Sequence, residues 1–550
     1  MKLVEGLIII YDSDNMGSES PTTKEKSSNS PWPNWKLSLM AFLVSLGGGF
    51  NFGYQLVITN PAQKAFIQFL NTSYIDTHGV QQNQETLEFI WGVIASAYFW
   101  GATVGALLIQ TVADRMGRKK GILVMFILQI ICLVITIASY FISSYIIYTV
   151  SRVALGITVS ISLGIGPMFI IECSPMACRG MISMATGFLL QLGRVAGSIT
   201  GMPETMGTVD HWWLMYALEL GMTIFITVLL FFVPESPSFL LTKNKPEEAK
   251  RSYMYYQSIT EAEAKLLVAD AHKTTKGEPP VGLFGVFMDK TWRCGFLVSA
   301  VVMGGTLLCG IVVVNAFAFD ILLNVGLDGL HASLANIAIW LMAAIGAVLS
   351  GQLVERLGRR PLLLWTFFAM AIVDAAISGL MYLFEWTSSP DGNAITTMAE
   401  IQRREDSRWI GWCVVVSISA FILLFATGPG PVCFLVPGEL VGQRARAATY
   451  TWMNIIMNGI RALLIAVYFP IRAVLGAPLS YFLLFFPSCL ATVAICYYWL
   501  PETSGKTPEQ AKSDVKDLPK ICGSTRKSYD IKMDNMDQQQ STDSPKALEA

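Results

Sequence analysis

Twelve stretches of roughly twenty apolar residues decide the fold class of this chain before any motif is read. They run over 37–58, 89–109, 121–141, 146–171, 180–202 and 212–233, then over 294–320, 333–354, 361–384, 409–433, 447–468 and 479–500. A helix needs about 20 such residues to cross roughly 30 Å of hydrocarbon. Inside that layer each backbone polar group must find a partner within its own segment, so stretches of this length form helices. Composition points the same way. Only 14% of the 550 residues are charged, too few to cover a water-soluble protein of this size. The net charge of -1 gives no basis for a nucleic-acid partner.

The residues that carry chemistry argue against catalysis. The ten cysteines stand mostly alone in apolar runs (Cys132, Cys309, Cys413, Cys489, Cys496), which is neither a disulfide framework nor a zinc site. His78, His211, His272 and His331 lie singly in or near connecting segments. No nucleophile–base group, metal-ligand spacing or phosphate-cradling loop stands out. The chain reads as a non-enzyme with no metal, no cofactor and no obligate protein partner.

Charge sets the orientation. The link after the second stretch holds Arg115, Arg118, Lys119 and Lys120; the link after the eighth holds Arg356, Arg359 and Arg360; the link after the tenth holds Arg444 and Arg446. Basic links face the cytoplasm, and with them the central segment 235–293. An even number of spans puts the tails 1–35 and 505–550 on the same side, and their polar composition reads as flexible. Arg403, Arg404 and Arg408 fall on the other side, against the majority, with Glu400, Glu405 and Asp406 among them. Asn71-Thr72-Ser73 in the first outer link is a glycosylation acceptor. The expected location is a multi-pass position in the plasma membrane with both termini cytoplasmic.

The two halves carry the same punctuation. Asp114-Arg115-Met116-Gly117-Arg118-Lys119 follows the second stretch, and Glu355-Arg356-Leu357-Gly358-Arg359-Arg360 follows the eighth. Glu172 with Arg179 closes the fourth stretch, and Glu439 with Arg444 and Arg446 closes the tenth. Pro234-Glu235-Ser236-Pro237 ends the first half, and Pro501-Glu502-Thr503-Ser504 ends the second. Three motifs repeated six spans apart mark a duplicated six-helix unit. The predicted architecture is all-α: twelve transmembrane helices in two pseudo-symmetric six-helix bundles, residues 36–234 and 294–504. Acids and bases at the cytoplasmic ends are expected to pair between helices, closing that side and parting when the halves rock.

These motifs, with Gly53-Tyr54, Asn60-Pro61, Arg152 and the run Gly428-Pro429-Gly430-Pro431, resemble the sugar-porter branch of the major facilitator superfamily. The animal facilitative glucose and fructose transporters are the nearest likeness, over about residues 36–505. The resemblance implies a central solute site between the halves and short cytoplasmic helices between them, which Lys245–Leu283 fits because Pro246-Glu247-Glu248 makes a helix start. It also implies a gate network of Asp114, Arg115, Arg118, Arg152, Glu172, Arg179, Glu355, Arg356, Arg359, Glu439 and Arg446. The Gly-Pro-Gly-Pro run gives the tenth span a soft point suited to a hinge.

At the solute site this sequence departs from the family pattern. Positions where the family carries sugar-binding amides, a glutamate and a tryptophan hold Gly187, Thr306, Leu307, Val312, Ala343, Ala426, Phe434 and Met457. Charges appear inside spans instead, at Arg194, Asp320, Asp374 and Arg461, and ionisable groups at membrane depth mark functional sites. The candidate solute residues are Gln191, Arg194 and Thr306, then Asn315, Asp320 and Phe434, then Asn454, Asn458 and Arg461. The leading expectation is an alternating-access transporter of a small polar solute in contact with membrane lipid, a hexose or related carbohydrate moving by facilitated diffusion. An organic-anion or other metabolite carrier, facilitative or proton-coupled, and a transport-silent sensor remain as alternatives.

Overall fold

The computed structural model describes residues 33–175, 178–274, 281–388 and 408–503. Residues 1–32 and 504–550 of the two tails, and Arg403 and Arg404, lie outside them. The described chain is helical from end to end: α1 Trp35–Ser45, α2 Asn51–Val57, α3 Gln63–His78, α4 Gln84–Met116, α5 Arg118–Phe141, α6 Tyr145–Cys173, α7 Arg179–Thr200 and α8 Trp212–Phe231 form the first half. Four short helices follow: α9 Pro237–Thr242, α10 Pro246–Gln257, α11 Glu261–Thr274 and α12 Gly285–Met288. The second half holds α13 Lys290–Leu308, α14 Ile311–Asn324, α15 Gly329–Leu357, α16 Arg359–Ser388, α17 Arg408–Thr427, α18 Pro429–Leu440, α19 Gly442–Leu475 and α20 Ala477–Trp499. Among the described residues, 11 helices are long and apolar enough to cross a membrane.

The expected stretches all form helices, and most run several residues beyond the apolar core into polar ends. Three are interrupted. A π-helical turn, Leu46–Phe50, joins α1 to α2. Gly428 separates α17 from α18, ahead of Pro429, whose ring cannot continue the hydrogen-bond ladder. The third break, at Gly310 between α13 and α14, has φ of 99°, a left-handed conformation that glycine adopts without penalty.

Helix α7 is not one of those 11, because Gly, Ser, Thr and two arginines dilute its apolar residues. The same small residues make it a close partner of α2. A Cβ on Gly53 would lie 2.0 Å from the Leu190 carbonyl oxygen, and one on Gly193 would lie 2.2 Å from that of Phe50. Helices α4 and α6 cross in the same way at Gly101 and Gly156. Where lipid removes the hydrophobic drive between helices, such backbone approach supplies the van der Waals contact that holds them.

Helix α3 occupies the link expected to be a loop. Its buried Phe66 stacks on Trp91 at 5.0 Å, and both Phe66 and Phe69 pack on Trp212. Asn71 therefore sits on a helix, half-buried, with its Oδ1 enclosed and without a partner.

The two halves share an apolar core away from the Gly-Arg loops and also come together nearer those loops, where a Cβ on Gly351 of α15 would lie 3.6 Å from Met184 of α7. A continuous apolar core containing Phe52, Trp91, Phe317, Trp340, Ile465 and Phe469 crosses between them at the end away from the Gly-Arg loops. Near the Gly-Arg end the first half keeps a separate core of Leu37, Met40, Phe126, Phe169 and Tyr256. Among the described residues, Ile455 is the one side chain of the second half packed against it.

Candidate functional site

Each Gly-Arg loop is held by a clasp, and the two clasps match. Gly117 (φ 93°) turns α4 into α5, and Gly358 (φ 84°) turns α15 into α16. The Glu235 carboxylate accepts hydrogen bonds from the backbone N–H groups of Arg118 and Lys119 at 3.0 and 2.8 Å. Glu502 accepts from Arg359 and Arg360, both at 3.0 Å. A carboxylate over a helix N-terminus satisfies donors that lack intrahelical partners and meets the positive end of the helix dipole. Side chains complete the match. Arg118 pairs with Glu172 at 2.8 Å and Arg359 with Glu439 at 3.1 Å. Ser236 Oγ donates to Glu172, and Thr503 Oγ donates to Glu439. Lys119 reaches the Phe231 carbonyl and Arg360 the Tyr497 carbonyl.

These ion pairs link helices of the same half, so they do not bridge the halves as expected. Asp114 is exposed and lies 3.9 Å from Arg118. Arg115, Glu355 and Arg356 are exposed. Arg179 and Arg446 donate to the Ser174 and Gly438 carbonyls of the preceding segments. Arg152 belongs elsewhere, in a buried network that the sequence reading passes over. Its guanidinium donates to Gln55 Oε1, Gln55 Nε2 donates to Glu219, and Gln129 donates to the other Glu219 oxygen at 3.2 Å. A lone glutamate in the stretch 212–233 was the available signal.

Between the halves a second polar group assembles. Arg194 of α7 lies over the Trp340 ring of α15 at 5.3 Å, and Arg461 of α19 lies over the Phe52 ring of α2 at 5.7 Å. The arginines are 5% and 7% exposed. The Nε atoms of both, and Nη1 of Arg461, have no hydrogen-bond partner. One turn from Arg194, Gln191 Oε1 is also unpartnered, as is Asn458 Oδ1 one turn from Arg461. Polar contacts between the halves continue toward the end away from the Gly-Arg loops: Asn336 donates to Ser198 Oγ at 2.9 Å, Ser333 donates to Glu204 at 3.0 Å, and Asn60 Nδ2 donates to the Asn315 carbonyl at 3.2 Å.

Comparison with known proteins matches residues 40–514 to the family described as "Sugar (and other) transporter". The chain belongs to that family. Among its relatives, facilitated glucose transporter member 9 of solute carrier family 2 from Mus musculus is 26% identical over 482 residues, covering 86% of this chain and 85% of that protein. Member 5 from Homo sapiens is 24% identical over 476 residues, covering 86% and 90%. The fold matches the xylose transporter XylE from E. coli in a partially occluded inward-open conformation, with a TM-score of 0.68 and 18% identity over 86% of this chain and 99% of that one. A D-xylose–proton symporter matches with a TM-score of 0.63 and 18% identity, again over 86% and 99%. These transporters are not enzymes, and neither is this family member.

The other candidate solute residues divide. Thr306 and Asn315 are buried, and their side chains donate to the Val302 and Ile311 carbonyls of their own helices. Asn454 donates to the Tyr450 carbonyl and Asn458 to that of Asn454. Phe434, on α18 beyond the Gly428 break, is 39% exposed. Asp320 leaves the group: it pairs with Arg472 at 2.7 Å near the end away from the Gly-Arg loops, not with Arg194 or Arg461. Asp374 is buried between α16 and α20, where Tyr481 donates to it at 3.2 Å.

Proposed function

We propose that this sugar-transporter family member moves a small carbohydrate-class solute by alternating access and facilitated diffusion. The halves are residues 36–234 and 294–504, with 235–293 between them. The observation that carries the reading is the Arg194–Arg461 group, one arginine from each half, buried where the halves meet. Helix α7 acts as the twelfth span, completing two six-helix bundles, because it leads from the Gly-Arg end to contacts at the opposite end. The basic Gly-Arg end is cytoplasmic, as are both termini. A plasma-membrane location and a sugar attached at Asn71 belong to the same reading. Gly428 serves as the hinge of the tenth span.

The relatives' names associate them with facilitated glucose transport, and solved structures of similar fold include a proton symporter. Facilitated diffusion is favoured here because Asp320, the carboxylate among the candidate solute residues, is paired with Arg472. Uptake into proteoliposomes of hexoses, polyols and organic anions at two pH values tests both points. Saturable, exchange-stimulated flux that ignores the pH gradient is expected. Uphill accumulation driven by a proton gradient would replace uniport with symport, and no flux across the panel would favour a sensor.

A further inference from the structure

We infer that the solute is a sugar acid, a hydroxylated organic anion whose carboxylate sits between Arg194 and Arg461. This deepens the transporter reading and rests on it. A buried guanidinium without a counter-ion is costly, and here there are two, one from each half. The fold partners a buried arginine where it needs only structure: Arg152, 2% exposed, is tied through Gln55 to Glu219. Arg194 and Arg461 have no such tie. Among the described residues neither forms an ion pair or a hydrogen bond, and each contacts the face of an aromatic ring.

The unpartnered atoms define what fits. Guanidinium nitrogens only donate, so the group they await must accept, and a carboxylate accepts at both oxygens while neutralising charge. A neutral hexose brings acceptors but leaves both positive charges uncompensated. Gln191 Oε1 and Asn458 Oδ1 are acceptors, each three residues from its arginine and on the same helix face. They call for donors on the same solute, which hydroxyl groups supply. Because one arginine comes from each half, the carboxylate binds the halves together only when the solute is present.

The test uses the full chain in proteoliposomes, with radiolabelled D-glucuronate, D-galacturonate, D-gluconate and D-glucose, under potassium-diffusion potentials of either sign. The acids are expected to enter saturably and roughly tenfold or more faster than D-glucose, the advantage of a charge-assisted hydrogen bond. An inside-positive potential should speed them, since each carries negative charge inward. Arg194→Gln and Arg461→Gln should each cut acid flux by about tenfold or more. Both variants should melt no lower than the parent, since each discards an unpaired buried charge; a clear drop in melting temperature would mean that the arginines are structural and overturn the inference. Flux of D-glucose at least as fast as that of any acid, unaffected by either substitution, would overturn it while leaving the transporter reading intact. Absence of flux for these solutes and for the wider hexose, polyol and anion panel would overturn both.

Discussion

At Glu235 one carboxylate accepts from consecutive backbone N–H groups of α5, and Glu502 repeats the arrangement at α16. Losing a helix cap costs about 1 kcal/mol, up to about 2 in tightly built sites. Glu235→Ala and Glu502→Ala are each expected to lower thermal stability in detergent by that order, read from intrinsic tryptophan fluorescence, while Asp114→Ala should change it little. Equal melting of all three would show that the caps carry no weight. Gly156 offers a sharper residue-scale case, because a Cβ there would stand 1.9 Å from the Tyr98 carbonyl oxygen. Gly156→Val should force α4 from α6 and abolish the folded peak in size-exclusion chromatography. The clasp residues were legible in the sequence as motifs repeated in both halves. Their partners were not, since spacing along the chain does not say which acid lies over which helix start. Glu219 was missed although the rule that singles out Arg194 applies equally to it; only packing reveals that Gln55 and Gln129 share its carboxylate.

Among the elements, hydrophobic length located the 11 described helices long and apolar enough to cross a membrane, but not the breaks within them. Gly310 resembles any glycine of an apolar stretch until its backbone is seen to be left-handed, whereas Gly428 was announced by the prolines beside it. Helix α3 went unrecognised because its polar residues disguised a buried stripe of Ala65, Phe66, Phe69 and Leu70. The α10–α11 pair combines an apolar contact of Ala249, Tyr253 and Val268 with charge. Lys250 bonds Glu247 at 2.6 Å and Glu261 at 3.0 Å, and hydrogen bonding to the ammonium holds both carboxyls below their usual range. A carboxyl held low in the folded state contributes stability above its unfolded pKa and loses it as pH falls through the folded value. Amide exchange across 246–274, corrected for intrinsic rate, should therefore stay level from pH 6 to 8 and rise below about pH 4. Lys250→Ala should weaken that pH dependence, leaving the part due to Glu263, which Thr260 holds low.

For the molecule as a whole, the end away from the Gly-Arg loops predicts where motion can be stopped. Ser198 and Asn336 touch across the halves, so cysteines at both positions, bridged by a short thiol-reactive linker, should hold that end shut. Transport is expected to stop on bridging and to return with a cleavable linker once it is reduced, while each single-cysteine variant continues to transport. Activity persisting after complete bridging would mean that the halves do not part there. Sequence duplication marked the matching clasps at Gly117 and Gly358; it could not say which residues of α7 and α15 touch, because that depends on packing between distant segments.

The two clasps also impose an order on synthesis. The turn at Gly117 is seated by Glu235, which emerges as soon as the first half is complete, before the second half exists. The turn at Gly358 waits for Glu502, beyond the last crossing helix. A growing polypeptide thus fastens its first half while still being made and leaves the second open until nearly all of it has been translated. Premature stops between 359 and 501 should accordingly yield products whose first half resists protease and whose second half is degraded.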